Sequence, residues 1–285
     1  MMNFISAELS EEQFKKISRL VYRLCGIHLK DGKQALVKAR LMKRLRVLHL
    51  SSFEAYLSYI EKEKGELGFL IDVITTNKTN FFREPEHFNF LRDEVLPEMT
   101  GRRLRFWTAA CSSGEESFSL AILLNEKLPD KAFKDVKILA TDISTKMLEK
   151  ARRAVYAEDE IRMIPQPLLQ KYFVKVHEGP PRAYQLKDDV RSMVRLARLN
   201  LMESWPMKGL FNVIFCRNVM IYFDKPTQQR LINRLWDFLE PGGWLFVGHS
   251  EGLSAISHNF RYIRPAVYRK QTGSVVRGSG FEVHP

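Results

Sequence analysis

The chain changes character at Thr75-Thr76-Asn77-Lys78-Thr79-Asn80-Phe81-Phe82-Arg83-Glu84. Before this stretch, residues 10–75 carry apolar side chains at helical spacing, and after it, residues 88–270 alternate between strand-like and helix-like segments. Such alternation is typical of a doubly wound parallel sheet with helices on both faces. The stretch itself orders polar and apolar residues in a way that packing alone would not require. We therefore predict that residues 76–90 form a lid that joins two domains and faces a ligand.

The first domain, residues 1–75, is predicted to be all helical and basic. Ser10-Glu11-Glu12-Gln13 is a capping-box pattern that begins one helix, and Ser51-Ser52-Phe53-Glu54 begins another. Between them, a helix is predicted over 33–48, with one apolar stripe and with basic residues over much of its remaining surface. Its cations are Lys38, Arg40, Lys43, Arg44 and Arg46. Between residues 14 and 49 the only acid is Asp31, so these cations form either a solvated face or a partner-binding surface.

The second domain, residues 91–270, contains the predicted sheet. Strands are predicted at 104–110, 136–140, 211–215, 244–248 and 267–269, and helices at 118–128, 144–154 and 228–239. Between residues 172 and 198, short apolar runs at 173–176, 183–186 and 193–196 alternate with turn residues, which predicts a small antiparallel insertion. Residues 271–285 lack an apolar pattern and are predicted to form a flexible tail.

Polar residues follow the first two predicted strands. Ser112-Ser113-Gly114 supplies small residues where a ligand can approach the backbone at the positive end of the next helix. Glu116 either meets an ammonium group of the ligand or only complements the helix dipole. Asp142 comes at the end of the second strand, where an acid accepts hydrogen bonds from ribose hydroxyls. Considered alone, this segment is equally consistent with Asp142 being a turn residue that caps the next helix.

Three segments together resemble a known family. They are the stretch from Asn77 to Glu84, Ala110 to Ser119, and Cys216 to Phe223, in this order along the chain. From about residue 10 to residue 270, the chain resembles the CheR-type chemotaxis-receptor glutamate methyltransferases. The resemblance implies an α/β fold, namely the class I (Rossmann-like) fold of S-adenosylmethionine-dependent methyltransferases with an N-terminal all-helical domain and a small antiparallel β insertion. It also implies an enzyme, a protein-glutamate O-methyltransferase that forms γ-glutamyl methyl esters on the cytoplasmic domains of methyl-accepting chemoreceptors and releases S-adenosylhomocysteine.

The resemblance further implies which residues bind adenosylmethionine. They are Asn77, Thr79, Arg83, Glu116, Asp142, Asn200, Leu201, Arg217 and Asn218, with Gly114 added as the small residue of the first loop. We also predict that Arg83 holds the acceptor carboxylate and that Tyr222 lines the methyl-transfer channel. In some family members the β insertion docks a receptor C-terminal peptide through a glycine-rich loop. Here only Gly179 with two prolines is evident, so peptide docking stays open.

A carboxylate acceptor requires little catalytic machinery. The pKa of a free glutamate is about 4.3, so the group is already an anion at neutral pH and needs alignment and desolvation more than a general base. We therefore expect no catalytic histidine or cysteine. The three cysteines, Cys25, Cys111 and Cys216, have no metal-ligand spacing, and we expect neither a metal nor a disulfide framework.

Charge and hydropathy limit the possible partners and the cellular location of the protein. The formal net charge of +12 favours an acidic partner, which could be nucleic acid, an anionic membrane or a carboxylate-rich protein surface. No run approaches the roughly 18 apolar residues that span a bilayer, and the N-terminus is polar where a signal peptide would be apolar. Given the resemblance to receptor methyltransferases, we expect a cytoplasmic, monomeric protein that is not membrane-embedded and does not bind nucleic acid.

Three other functions are alternatives to glutamate methylation. Amino-group methyltransferases acting on nucleic acid or other proteins commonly carry an Asn/Asp-Pro-Pro-Tyr motif, where this chain has Cys216-Arg217-Asn218-Val219. Cytosine C5 methyltransferases use a cysteine near this strand end, but Cys216 lacks a preceding proline and fits a buried small apolar residue better. A non-catalytic adenosylmethionine-binding adaptor is the third alternative, which the acidic and lid motifs disfavour.

Overall fold

The computed structural model describes residues 8–99, 103–128 and 135–272. Residues 273–285 of the predicted tail lie outside the described residues. Among the described helices, none combines the length and the apolar character that crossing a membrane requires.

The N-terminal region is a bundle of four helices, as predicted. They are α1 (Glu11–Cys25), α2 (Gln34–Val47), α3 (Phe53–Lys62) and α4 (Glu66–Ile74). The capping box at Ser10 is confirmed, because the Gln13 N–H donates to Ser10 Oγ at 3.2 Å and the Ser10 N–H donates to Gln13 Oε1 at 3.0 Å. Helix α1 ends at Gly26, whose φ of +73° suits glycine, and a Cβ there would lie 2.7 Å from the Met202 sulfur.

The lid leads into the second region through α5 (Pro85–Phe90), a π-helical turn (Leu91–Val95) and α6 (Leu96–Glu98). The first half of the second region consists of β1 (Arg103–Ala109), α7 (Glu115–Lys127), β2 (Asp135–Asp142), α8 (Thr145–Arg153), β3 (Val155–Ala157), α9 (Glu158–Ile161), α10 (Gln166–Tyr172), β4 (Phe173–His177), β5 (Ala183–Leu186) and α11 (Asp188–Arg191). The second half consists of β6 (Val194–Arg198), β7 (Phe211–Cys216), a 3-10 turn (Met220–Tyr222), α12 (Lys225–Asp237), β8 (Leu239–Val247), a 3-10 turn (Leu253–Ala255), β9 (Arg261–Arg264) and β10 (Val267–Arg269).

The main sheet is doubly wound. Its strand order is β6-β2-β1-β7-β8-β10-β9, with the first five strands parallel and β10 antiparallel to both of its neighbours. The strand order reverses between β1 and β7, and ligands of such sheets bind at that point, outside the carboxyl ends of the strands. The predicted α/β fold is therefore confirmed, and the sheet places a binding crevice beside β1, β2 and β7.

The helical bundle shares one apolar core with one face of this sheet. Trp107 and Ile214 point to that face and join the cluster that contains Ile17 of α1 and Leu41 of α2, all fully buried. The segment after α1 also forms a β-bridge from Ile27 to Phe223 in the loop region after β7. The bundle is thus packed against the crevice side of the sheet, close to the lid.

The β insertion is built from different strands than predicted. It is a three-stranded antiparallel sheet of order β3-β5-β4, so its strands come from residues 155–186. The run at 193–196 was assigned to the insertion, but this is wrong because β6 pairs in parallel with β2 of the main sheet. A short apolar run has the same alternation in either sheet, and only its pairing partner distinguishes the two.

The five cations of α2 do not form one solvent-facing row. Arg44 donates two hydrogen bonds to the carboxylate of Glu66, at 2.8 and 2.6 Å, and the Tyr56 hydroxyl donates to the same carboxylate at 2.9 Å. Arg40 donates to backbone carbonyls at the end of α4, and Lys38 pairs with Glu8 at 2.5 Å. Arg40 and Arg44 therefore have intramolecular roles that the sequence did not indicate.

The exposed members of the predicted surface are Lys43 and Arg46. Only these two of the five cations lie on the solvent side of α2 without an ion pair to a described residue. The predicted partner surface is therefore reduced to them, with the ion-paired Lys38 at its edge.

We expect Arg44→Met to lower the free energy of unfolding by about 3 kcal/mol, because it leaves the buried Glu66 carboxylate without its counter-charge. The matched change Arg46→Met, two positions along the same helix but exposed, should cost less than about 0.5 kcal/mol. Urea unfolding followed by circular dichroism measures both. Equal losses for the two variants would contradict a structural role for Arg44.

Candidate functional site

One pocket gathers almost all of the predicted site residues. It lies at the crevice of the sheet and is lined by the end of α1, the lid, and the segments that follow β1, β2, β6 and β7. The predicted residues that line it are Asn77, Thr79, Arg83, Glu116, Asp142, Asn200, Leu201, Arg217, Asn218 and Tyr222. Gly114 is the exception. Residues far apart in the sequence are thus brought together by the parallel strands.

Close packing requires a glycine at position 114. It has a φ of +97° at the start of α7, and a Cβ there would lie 2.7 Å from the Phe118 ring and 3.0 Å from the Ala151 Cβ. Those contacts point into the core between α7 and α8. Gly114 therefore has a packing role, and its predicted role at the ligand stays a prediction.

Asp142 presents a fixed carboxylate at the carboxyl end of β2. Its Oδ2 accepts from the Ser112 N–H at 2.7 Å, and its Oδ1 accepts from the Ser144 N–H at 2.8 Å. Burial raises the pKa of this carboxyl, although the two N–H donors oppose that rise. Each oxygen retains a lone pair for another donor, so the group can receive two neighbouring hydroxyls from the pocket side.

Arg217 connects the lid to the sheet and to α7. Its side chain is 1 % exposed, and its guanidinium lies 2.9 Å from a carboxylate oxygen of Glu84 in the lid and 2.9 Å from one of Glu116 in α7. A third contact is a hydrogen bond donated to the backbone carbonyl of Arg83 at 2.6 Å. The buried cation is therefore neutralised from both sides, and it fixes the lid at Arg83 and Glu84.

The two acids beside Arg217 respond to it differently. Burial opposes ionisation of Glu84, but the attraction of Arg217 outweighs it, so the pKa of Glu84 is lowered. Burial dominates at Glu116 and raises its pKa, although Arg217 partly offsets the rise. Both acids pair with Arg217, but only Glu116 also lines the pocket, where it can meet a ligand ammonium group.

Further contacts hold the lid against neighbouring elements. Phe81 is buried, with its ring centroid 4.9 Å from that of Tyr156 in the β insertion. Ser112 Oγ donates to the carbonyl of Asn77 at 3.0 Å, and the Tyr222 hydroxyl donates to the carbonyl of Thr76 at 3.1 Å. These contacts leave Asn77 and Thr79 on the pocket wall.

Asn200 and Asn218 line the pocket, but their side chains already have protein partners. The Asn200 amide donates to the carbonyl of Leu24 at 2.6 Å and to Glu203 at 2.9 Å, which ties the end of α1 to the sheet. The Asn218 amide donates to Glu84 at 3.2 Å. These contacts fix the orientation of both amides at the pocket wall.

Sequence reasoning missed Glu251. This buried acid accepts from three backbone N–H groups, those of Asn218 at 2.6 Å, Gly248 at 2.8 Å and Ile221 at 3.1 Å. It thereby orders the loop after β7, where Asn218 has a φ of +58°. The available signal was an acid shortly after the end of a buried strand, the same signal that identified Asp142.

A cluster of Glu84, His87 and His249 lies behind Arg217. Their ligand atoms lie within 4.8 Å of one another, but the Glu84 oxygen nearest the two imidazoles is also the one paired with Arg217. His87 is 2 % exposed, and neither of its ring nitrogens has a hydrogen-bond partner among the described residues. Burial, reinforced by the Arg217 charge, lowers the pKa of His87 to about 3. The same charge disfavours a metal cation at this place.

We expect His87→Leu to flatten the dependence of stability on pH. The unfolded chain protonates this histidine near pH 6.5, but the folded chain does so only near pH 3. The unfolded state thus binds more protons between these values, and the wild type should lose stability as pH falls through this window, by up to ~1.4 kcal/mol per pH unit. Urea unfolding of both proteins across the window measures the difference. Parallel profiles would show that His87 is not buried in its neutral form.

Comparison with known proteins identifies the family. The model of the CheR methyltransferase all-alpha domain matches residues 12–75, and that of the CheR methyltransferase SAM binding domain matches residues 77–268. The chain is 38 % identical over 278 residues to the chemotaxis protein methyltransferase of Borreliella burgdorferi, covering 93 % of this chain and 96 % of that protein. It is 41 % identical over 261 residues to chemotaxis protein methyltransferase 2 of Pseudomonas aeruginosa, covering 91 % and 93 %. The corresponding protein of Escherichia coli is 40 % identical over 266 residues, with 91 % of each chain covered. These matches cover both domains and the pocket between them, and the chain belongs to the CheR family of S-adenosylmethionine-dependent methyltransferases of chemotaxis.

Proposed function

We propose that this enzyme forms γ-glutamyl methyl esters on the cytoplasmic domains of chemoreceptors, acting in the cytoplasm as a monomer. The observation that carries the proposal is the single pocket in which the lid, Glu116 and Asp142 meet. The matched family and the chemotaxis relatives supply the biological setting. Residues 1–75 act as the receptor-facing domain, residues 76–90 as the lid and residues 91–270 as the catalytic domain.

The donor set of the pocket fits adenosylmethionine. The two Asp142 oxygens can accept from the ribose diol, because each is occupied by only one backbone N–H. The Glu116 carboxylate offers a partner for the amino-acid ammonium group. Partly buried Ile143 and buried Leu199 and Leu201 provide apolar surface for the adenine ring beside Asp142. Polar and apolar groups thus occur where the two ends of this ligand require them.

The main task of the protein in this reaction is to position the acceptor carboxylate. Bound adenosylmethionine supplies a methyl group on a sulfonium, which an ionised carboxylate can accept without losing a proton. No base, metal or nucleophilic cysteine is needed, so the proposal includes none. The three cysteines are buried, which is consistent with their having no nucleophilic role. The protein must align the incoming carboxylate and exclude water from it.

Arg83 and Tyr222 are proposed to position the acceptor. One Arg83 donor is used by the Lys78 carbonyl at 2.9 Å, which leaves other guanidinium donors for a carboxylate. The Tyr222 hydroxyl is held by the Thr76 carbonyl, so its ring stands where the lid meets the loop after β7. The two side chains border the same pocket and can constrain a glutamate that enters between them.

We expect Asp142→Ala to weaken the binding of S-adenosylhomocysteine by about 1 to 3 kcal/mol, the contribution of a buried hydrogen-bonding group. The fold should be retained, although the Ser112 and Ser144 N–H groups lose their acceptor. Isothermal calorimetry below the unfolding temperature measures the affinity, with Glu149→Ala, an exposed carboxylate on α8, as the matched control. An unchanged affinity would remove Asp142 from the binding site.

Transfer of labelled methyl from adenosylmethionine to a purified receptor cytoplasmic domain tests the proposed function. The label should leave as methanol under alkaline treatment, because esters hydrolyse and methylated amides do not. The double change Lys43→Glu and Arg46→Glu should slow this transfer at low ionic strength, since exposed charges steer an acidic partner. Its affinity for S-adenosylhomocysteine should change by less than about 0.5 kcal/mol.

Alkali-stable label would overturn the ester proposal and favour an amino-group acceptor. Binding of adenosylmethionine without transfer to any receptor would favour a non-catalytic adaptor, and methylation of nucleic acid would favour that substrate class. Normal receptor methylation by the double variant would remove Lys43 and Arg46 from the receptor surface while leaving the ester chemistry in place.

A further inference from the structure

Arg40 of α2 points toward the lid rather than toward a partner. Its Nη1 donates to the backbone carbonyl of Ile74 and, at 3.1 Å, to that of Thr75, with a longer contact of 3.4 Å to the carbonyl of Val73. Its Nη2 donates to the Thr76 hydroxyl at 2.6 Å. One guanidinium thus holds the last turn of α4 and the first residues of the lid.

The acceptors of Arg40 are those that a helix end leaves unpaired. The final carbonyls of a helix have no partners within it and carry the negative end of the helix dipole, so a cation there is favourable. The chain continues directly from these carbonyls to Asn77 and Thr79 on the pocket wall. The direction in which the lid leaves α4 therefore depends on this contact.

Thr76 accepts hydrogen bonds from both domains. Its side-chain hydroxyl accepts from Arg40 of the helical bundle, and its backbone carbonyl accepts from the hydroxyl of Tyr222 in the catalytic domain. The next residue, Asn77, is held by Ser112. Contacts from three elements thus fix two successive residues, Thr76 and Asn77, which both line the pocket.

From these contacts we infer that Arg40 is a positioning residue for the cofactor, which acts through Thr76 by fixing the lid in its binding conformation. The inference rests on the proposed use of adenosylmethionine in this pocket. It replaces the role of Arg40 as a receptor contact, and it makes α2 both the basic helix of the bundle and the support of the lid.

A purely structural cap would behave differently from a positioning residue. A cap would lower the free energy of unfolding and leave the affinity of the folded protein unchanged. A positioning residue changes the affinity of molecules that are already folded. The Thr76→Val change provides an independent probe, because it removes the Arg40 acceptor in the lid without altering α2 or the α4 carbonyls.

The experiment measures S-adenosylhomocysteine affinity by calorimetry well below the unfolding temperature, together with urea unfolding without ligand. We expect Arg40→Met to bind about tenfold more weakly, as when charge-assisted hydrogen bonds that order a binding loop are lost. Arg40→Lys should recover part of the affinity, and Thr76→Val should weaken binding by about threefold. Arg40→Met should remove most of the effect of Thr76→Val in the double variant. Lys43→Met, an exposed cation on the same helix, should bind as the wild type does.

Wild-type affinity in Arg40→Met, with or without a loss of stability, would overturn the inference. If that variant also methylated receptor slowly, Arg40 would return to the receptor-contact role. A wild type that binds S-adenosylhomocysteine but does not methylate receptor would overturn the proposed function alone, and the affinities of the variants would still decide the role of Arg40.

Discussion

The buried guanidinium of Arg217 is the interaction on which the site depends. A charge removed from water is tolerated only with close partners, and Arg217 has Glu84 on one side and Glu116 on the other. Because these acids belong to the lid and to α7, neutralising the cation also fixes the lid against the sheet. The backbone at Glu84 has a φ of +56°, an unfavourable conformation that this ion pair and the contact to the Arg83 carbonyl hold in place.

The parallel sheet determines where the other polar groups can act. The strands β1, β2 and β7 end at one edge, so Ser112, Asp142 and Arg217 meet there although they are far apart in sequence. Glu251 contributes from the end of β8 by gathering three N–H groups of the adjoining loops. Two carboxylates, those of Asp142 and Glu251, thus hold backbone N–H groups of the loops beside the pocket. Asp142 also lines the pocket.

The helical bundle is part of the site as well as a basic surface. The end of α1 reaches the pocket through Cys25 and Ile27, and Asn200 holds the α1 terminus in place. The cations of α2 are divided between intramolecular contacts, at Lys38, Arg40 and Arg44, and solvent, at Lys43 and Arg46. The dense charge of this helix therefore serves two purposes, of which attraction to an acidic partner is only one.

The sequence by itself determined the features whose signals are local. The Ser10 capping box, the buried strand at 211–215 and an acid at the end of β2 each follow from a few neighbouring residues, and so does the motif around the lid. Tertiary structure alone decided which sheet received the run at 193–196, what Gly114 packs against, and which acids neutralise Arg217. It also decided that Arg40 and Arg44 bond to groups of the protein itself. These features depend on partners that are distant along the chain, and burial and ion pairing cannot be inferred from a residue whose partner is not yet known.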